Sequence, residues 1–531
     1  MSFSSNSVRI ELDAGQNDTF TSLDIIKGRV CFSIPSEETI SSIQVKLEGI
    51  SRTVLVVPKN NEVKKRQKDK NATKNSIEMH RVLYQVSTVF PPKDIRNVNT
   101  SQKYTLKSGN YEYPFQFRIP VNSSCSNSSG SSYQPSGGMF ESFSFTNGSL
   151  GYVRDAKNHI NTSLPPSFSG LGELASVRYF LKVTVRRSSM LKINFRNYQP
   201  FIFLPIDPPV DNSGKVAFVR REKSIAYKGS RNNNSNRIDA NRNNNGDSGG
   251  LFKSFFKSKP SATSNSIPLR SNVQFLFEVR YPLGIGLVPL EVLPLGLFVS
   301  FKKQPQSNDI IYLRELNFTL FATTIAASHQ YSERSVVSLN FFNRTQLNIP
   351  LNMKAAAPTP VDPTTHLPTW ELPINPSVYH DAILPNTVAP SFKTCNIAQV
   401  YTLQITGKFS MENGPLEEVS LSTDVQIWSG IRPSEGLLRA ALPARPNMNT
   451  ADMATAGFSK PGAIGSEKPP PKPVRPSNGK NANGMSNEGS ALPTYDEAIT
   501  NSLGPIEGPR RTYQQSDNYY TNLDSFEDGR D

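Results

Sequence analysis

Runs of residues that alternate between apolar and polar, repeated many times in short pieces, constrain this chain more than any other feature. The stretch 177–187, Val-Arg-Tyr-Phe-Leu-Lys-Val-Thr-Val-Arg-Arg, puts Val177, Tyr179, Leu181, Val183 and Val185 on one side. That is the period of a strand with one face in a core. The same period runs through Val8, Ile10 and Leu12, through Ile43, Val45 and Leu47, through residues 111–120, and through Phe275, Phe277 and Val279. Further strands are predicted near 25–34, 53–57, 82–89, 199–204, 297–301, 313–321, 335–342, 398–409 and 425–428. No amphipathic helix longer than about ten residues is legible, where an ordinary mixed domain would have several. Many short strands divided by turn signals specify an all-β protein built of sandwiches.

Breaks in the pattern divide the chain. Its 531 residues exceed one ordinary domain. Residues 1–206 are predicted to form a first sandwich lobe, with flexible inserts near 58–81 and 122–148. Residues 207–266 lose periodicity, carry two Asn triplets, and are expected to be a basic low-complexity linker. A second lobe spans 267–430. Residues 431–531 are rich in Pro, Asn, Ser and Gly and poor in large apolar side chains. They cannot bury enough surface to offset their ordering entropy, so a disordered tail is expected.

Charge narrows the partners. The net charge is +14, and +13 of it lies in residues 58–81 and 215–259, which look unfolded in sequence. A nucleic-acid groove would place cations on the fold, interleaved with aromatics; basic excursions suit an anionic membrane surface better. No nucleic-acid partner is expected. Phe252, Lys253, Phe255, Phe256 and Lys257 interleave rings with cations, a pattern suited to an anionic leaflet or to docking on one of the lobes. The polar N-terminus lacks the character of a secretory signal, and no apolar run is long enough to span a bilayer. The expected location is cytoplasmic, peripheral at the plasma membrane or endosomes. A secreted, glycosylated adhesin, suggested by the Ser and Asn content, is disfavoured for want of that signal.

Four stretches carry a resemblance. They are residues 23–30 with Ile43-Gln44-Val45-Lys46-Leu47-Glu48-Gly49; residues 109–120, ending Phe115-Gln116-Phe117-Arg118-Ile119-Pro120; Leu164-Pro165-Pro166-Ser167-Phe168 leading into 177–187; and residues 390–397 followed by Val400-Tyr401-Thr402-Leu403. In this order and spacing the chain resembles the arrestin superfamily, and within it the fungal α-arrestins, the arrestin-related trafficking adaptors. The resemblance implies two arrestin-like immunoglobulin-type β-sandwich lobes in tandem and a disordered C-terminal tail with PY motifs. It implies an adaptor that brings a Nedd4-type HECT ubiquitin ligase to plasma-membrane transporters or receptors, whose ubiquitination and endocytosis follow. The alternative is an arrestin-fold scaffold in signalling or endosomal sorting that needs no ligase.

One tail element fits the adaptor role chemically. In Leu492-Pro493-Thr494-Tyr495, Pro493 presents a ring with φ already set to the aromatic groove of a WW domain, and Tyr495 fills the neighbouring pocket with its hydroxyl still wet. The usual family form has two prolines here; this chain has Leu492 in place of the first. A single such site gives modest affinity unless other contacts add avidity. Upstream, Pro470 and Pro473 stand three apart among cations, as an SH3 ligand or a stiff spacer would.

No catalytic constellation is legible. The five histidines show no metal-ligand spacing to each other or to a cysteine. Cys31, Cys125 and Cys395 are too far apart in sequence for a disulfide framework or a zinc motif, so three reduced thiols are expected. Gly284-Ile285-Gly286 has no strand–turn–helix context. Neither an enzyme activity, a cofactor nor a metal site is predicted.

Overall fold

The computed structural model describes residues 7–13, 19–58, 73–98, 103–123, 125, 162–170, 174–189, 192–210, 214–226, 272–359, 369–433, 503–521 and 523. The regular structure of the described chain is almost entirely strand, arranged in four sheets that make two lobes.

In the first lobe a three-stranded sheet orders β1 (Ser7–Leu12), β3 (Ile25–Ile34) and β7 (Gly109–Arg118). It faces a seven-stranded sheet of β2 (Thr19–Phe20), β10 (Phe195–Phe203), β9 (Ala175–Arg187), β4 (Glu38–Pro58) and β5 (Thr73–Phe90), with β6 (Tyr104–Leu106) on β4 and β8 (Phe168–Gly170) on β9. The alternating residues do what their period requires. Ile43, Val45 and Leu47 of β4 pair with Val185, Val183 and Leu181 of β9, and all are fully buried. Gly49 has a steric reason: a Cβ there would come within 2.5 Å of the Tyr179 ring. At Gly49/Ile50 the β4–β5 register shifts. Beyond this bulge the two long strands run on to the second lobe, as a bulged ribbon can bend to do.

In the second lobe, one sheet orders β11 (Val216–Ile225), β12 (Val273–Pro282), β13 (Gly296–Phe301), β18 (Thr369–Ile374) and β17 (Ala357–Thr359). The other orders β15 (Tyr331–Arg344), β14 (Ile310–Ser328), β20 (Ile397–Ser410) and β19 (Phe392–Lys393), with β16 (Ile349–Asn352) on β14 and β21 (Glu417–Val425) on β20. Phe275, Phe277, Phe318 and Phe409 fill its core, with Phe409 meeting both Phe275 and Phe277 edge-on. The helices are short, such as α1 (Lys93–Val98). Among the described residues no helix is long and apolar enough to cross a membrane.

Three expectations need correction. The predicted linker contains β11, which pairs with β12 along its whole length, from Val216↔Pro282 to Ile225↔Val273. β11 and β12 therefore belong to one sheet of the second lobe, so this lobe begins at or before Val216 and not near Ile267. β11 escaped notice because it is an edge strand: partly exposed, it carries Arg220, Arg221 and Lys223 where a central strand would be apolar. Such cations also discourage edge-to-edge pairing, and Lys223 meets Glu417 at 3.0 Å. Part of the basic charge assigned to loose chain thus sits on the fold. The predicted insert at 58–81 likewise yields residues 73–81 to β5. Finally, within the expected disordered tail, residues 503–521 and Leu523 are docked on the lobes.

Candidate functional site

The docked tail residues join both lobes through two adjacent arginines. Arg510 lies against the first lobe. Its Nη2 donates to Asp24 Oδ1 at 2.8 Å and its Nη1 to the Thr19 carbonyl at 3.0 Å. Both side chains are buried, at 7% and 8% exposure, so this is an ion pair shielded from water. Asp24 sits beside Leu23, which adopts φ 71° with its side chain buried, and accepts the Thr21 N–H at 2.8 Å.

Arg511 turns to the second lobe. Its guanidinium donates to the carbonyls of Ser429, Asn386 and Val388 at 3.0–3.1 Å. Burial lowers its pKa from the ordinary value, while Tyr513, Tyr401 and Asp207 act in the opposite direction. Asp207, just past β10, knots the two ends of the second lobe together. It accepts the Ser429 N–H at 2.7 Å, the Ser429 hydroxyl at 2.8 Å and the Gly430 N–H at 3.0 Å. Burial pushes this carboxyl up to about 6, against the downward pull of those hydrogen bonds.

Aromatic anchors follow. Tyr519 is fully buried; its hydroxyl donates to the Phe201 carbonyl at 2.8 Å, accepts the Tyr179 N–H at 3.2 Å and meets the Ser167 hydroxyl at 2.7 Å. Ile506, Tyr513 and Tyr519 join the first lobe's core cluster, together with Phe392 and Ile397 of the second. Leu523 covers Ile50 and Phe180 on the outer face of β4 and β9. β9 is buried at every position from Ala175 to Val185, and Leu523 supplies that cover at Phe180. The one sequence signal of this cover was Phe180, an aromatic on the face that alternation assigns to solvent.

Between the lobes, a polar seam is closed by hydrogen bonds. Asn396, wholly buried, accepts the Ser51 hydroxyl at 2.6 Å and donates to the Ser51 carbonyl at 3.2 Å; Thr53 donates to the Ala327 carbonyl at 2.6 Å. At its edge lie Glu78, His80, Cys125 and Cys395. Burial opposes the charge on His80, but hydrogen bonds to Cys395 and Glu78 outweigh it, and the imidazole is pushed up to about 9. The Cys125 thiol is pushed far up, first by its hydrogen bond with Cys395 and then by burial.

The arrangement is one for holding surfaces together. Residues 8–154 match the family model described as arrestin (or S-antigen), N-terminal domain. The first lobe is therefore similar to an arrestin N-terminal domain. One relative, named arrestin-related trafficking adapter 10, from Lachancea thermotolerans, is 26% identical over 197 residues. That alignment covers 34% of this chain and 42% of the relative. The chain thus matches less than half the length of that relative. The residues singled out for recognition in sequence, Leu492, Pro493 and Tyr495, Pro470 and Pro473, and Phe252, Lys253, Phe255, Phe256 and Lys257, lie outside the described residues. The clasp, the knot and the seam were not foreseen, because each joins residues hundreds of positions apart.

Proposed function

We propose that this chain is an arrestin-related trafficking adaptor that recruits a Nedd4-type HECT ubiquitin ligase to membrane transporters or receptors through Leu492-Pro493-Thr494-Tyr495. The observation that supports it is the tail clasp. Tyr495 precedes the docked Leu503 by eight residues, a span of at most about 28 Å of extended chain. A ligase held there stays within reach of whatever the lobes hold, which is the geometry an adaptor needs and raises effective concentration. The relative's printed name, a trafficking adapter, points the same way. Residues 252–257 fall in sequence between β11 and β12, which pair with each other in the second lobe, and their rings and cations suit an anionic membrane surface at the plasma membrane or endosomes.

The test uses the full chain. Wild type should bind the WW domains of a Nedd4-type ligase, and Tyr495→Ala should lose that binding with an unchanged melting temperature. Equal binding by both would remove this element from the account and favour a scaffold that works without ligase.

A further inference from the structure

His80 on β5, Cys125 beyond β7 and Cys395 in the turn between β19 and β20 converge where the lobes meet, although 45 residues separate Cys125 from His80 and 270 separate it from Cys395. Cys125 Sγ lies 3.4 Å from His80 Nδ1 and 3.8 Å from Cys395 Sγ. All three donor atoms fall within 4.8 Å of one another. The other ring nitrogen of His80, Nε2, is 2.7 Å from Glu78 Oε1. Glu78 Oε2 accepts the backbone N–H of His329. We propose that His80, Cys125 and Cys395 bind a thiophilic divalent cation of the zinc class, which cross-braces the two lobes.

The spacing carries the argument. Tetrahedral zinc holds sulfur at about 2.3 Å and imidazole nitrogen at about 2.0–2.1 Å, which puts two sulfurs about 3.8 Å apart and sulfur and nitrogen about 3.5 Å apart. The 3.8 Å and 3.4 Å separations correspond to these. A disulfide needs about 2.05 Å. The donor set is also chemically matched: two thiolates neutralise a doubly charged ion, and soft sulfur with imidazole selects zinc over magnesium or calcium.

Glu78 is a second, independent observation. A metal-binding histidine ordinarily gives its remote N–H to a carboxylate, which fixes the ring and the tautomer. Here the pair is shielded, with His80 at 13% exposure and Glu78 at 10%. The turn that presents Cys395 is rigid, its Thr394 N–H bonded to the Ile397 carbonyl at 2.7 Å and its Ile397 N–H to the Thr394 hydroxyl at 2.9 Å. Two positions before Cys125, Ser123 is held in place, its N–H and hydroxyl both donating to the Thr162 carbonyl, at 2.8 Å and 3.0 Å. Binding releases the two thiol protons and any proton on His80 Nδ1 to solvent. Among the described residues three ligands converge, and a catalytic-type zinc site takes water in its fourth position.

The experiment takes the full chain without a polyhistidine tag, reduced and stripped with chelator, and titrates it with Co²⁺ and then Zn²⁺. One cobalt per chain should bind, with thiolate-to-metal charge-transfer absorption and tetrahedral visible bands that zinc abolishes. Cys125→Ser and Cys395→Ser should each lose most of the charge-transfer intensity, Cys31→Ser should keep it, and Glu78→Gln should weaken binding about 10–100-fold. Circular dichroism checks that each variant is folded. A variant-free reading is protection of Cys125 and Cys395 from alkylation by bound zinc, located by peptide mass spectrometry. The proposal is overturned by folded wild type that gives no charge-transfer band at one equivalent, or by a band that survives loss of both thiols. A Cys125–Cys395 disulfide in freshly isolated protein also overturns it, and assigns the pair to redox chemistry.

Discussion

At the scale of single residues, the tail clasp is a case of buried charge. Arg510 and Asp24 are both shielded, and removing one partner of such a pair ordinarily costs about 3–5 kcal/mol because the other is left uncompensated. Arg510→Ala should therefore release the tail, read as faster amide exchange across 503–521 than in wild type. Tyr519→Phe is gentler. It leaves the Tyr179 N–H and Phe201 carbonyl without the hydroxyl they now share, at a cost of about 1–3 kcal/mol in chemical unfolding. Asp207 provides a pH signature. Its folded pKa, about 6, lies above the ordinary 3.8. The folded chain therefore takes up a proton before the unfolded chain does. The stability this group contributes is complete below about 4 and is lost as pH rises through about 6. Between about pH 7 and pH 5 the melting temperature of wild type should rise relative to that of Asp207→Asn. Parallel curves for the two would dismiss the Asp207 account.

At the scale of elements, magnitudes explain why the docked tail depends on its anchors. Burying a side chain such as Leu523 or Ile506 is worth about 1.5–3 kcal/mol, while ordering each backbone residue costs about 1–2 kcal/mol. Apolar contact alone does not hold a segment of this length, and the arginines and Tyr519 supply the rest. Ending the chain at residue 502 should bare Phe180 and Ile50, which Leu523 now covers. The expected outcome is a lower melting temperature and greater binding of a hydrophobic dye, with both lobes still β-rich by circular dichroism. A truncated chain that melts with wild type would mean that the segment contributes nothing to stability. β11 teaches the converse lesson. Its sequence is weak as a strand, and its stability comes from pairing with β12.

For the whole molecule, the lobes are bound by a polar seam and by a tail that reaches both. This makes lobe orientation and tail docking one linked equilibrium. Raising salt should loosen the exposed pairs, such as Arg344–Asp381, far more than the buried Arg510–Asp24 pair, since screening acts through solvent. Exchange in 503–521 should therefore change little between low and moderate salt, whereas Arg510→Ala changes it strongly. The proposed recruitment of ligase belongs to this scale as well, because the span from Tyr495 to Leu503 sets how far a partner sits from the lobes.

The strands that bury one face were legible in the sequence because period-two alternation is a local property: Val177 to Val185, Ile43 to Leu47 and Phe275 to Val279 lie where their pattern places them. The all-β class follows from such runs, while the arrestin resemblance rests on the particular residues of four stretches, such as Phe115-Gln116-Phe117-Arg118-Ile119-Pro120. Tertiary structure alone decided the rest. Phe180 is buried because Leu523 arrives from the far end of the chain. Asp24 is partnered because Arg510 folds back across 486 positions. His80, Cys125 and Cys395 meet because two lobes close on one another. The physical reason is common to all three. Alternation records what a residue needs from its own strand, whereas a buried charge or a convergent set of ligands depends on which distant segment is packed against it.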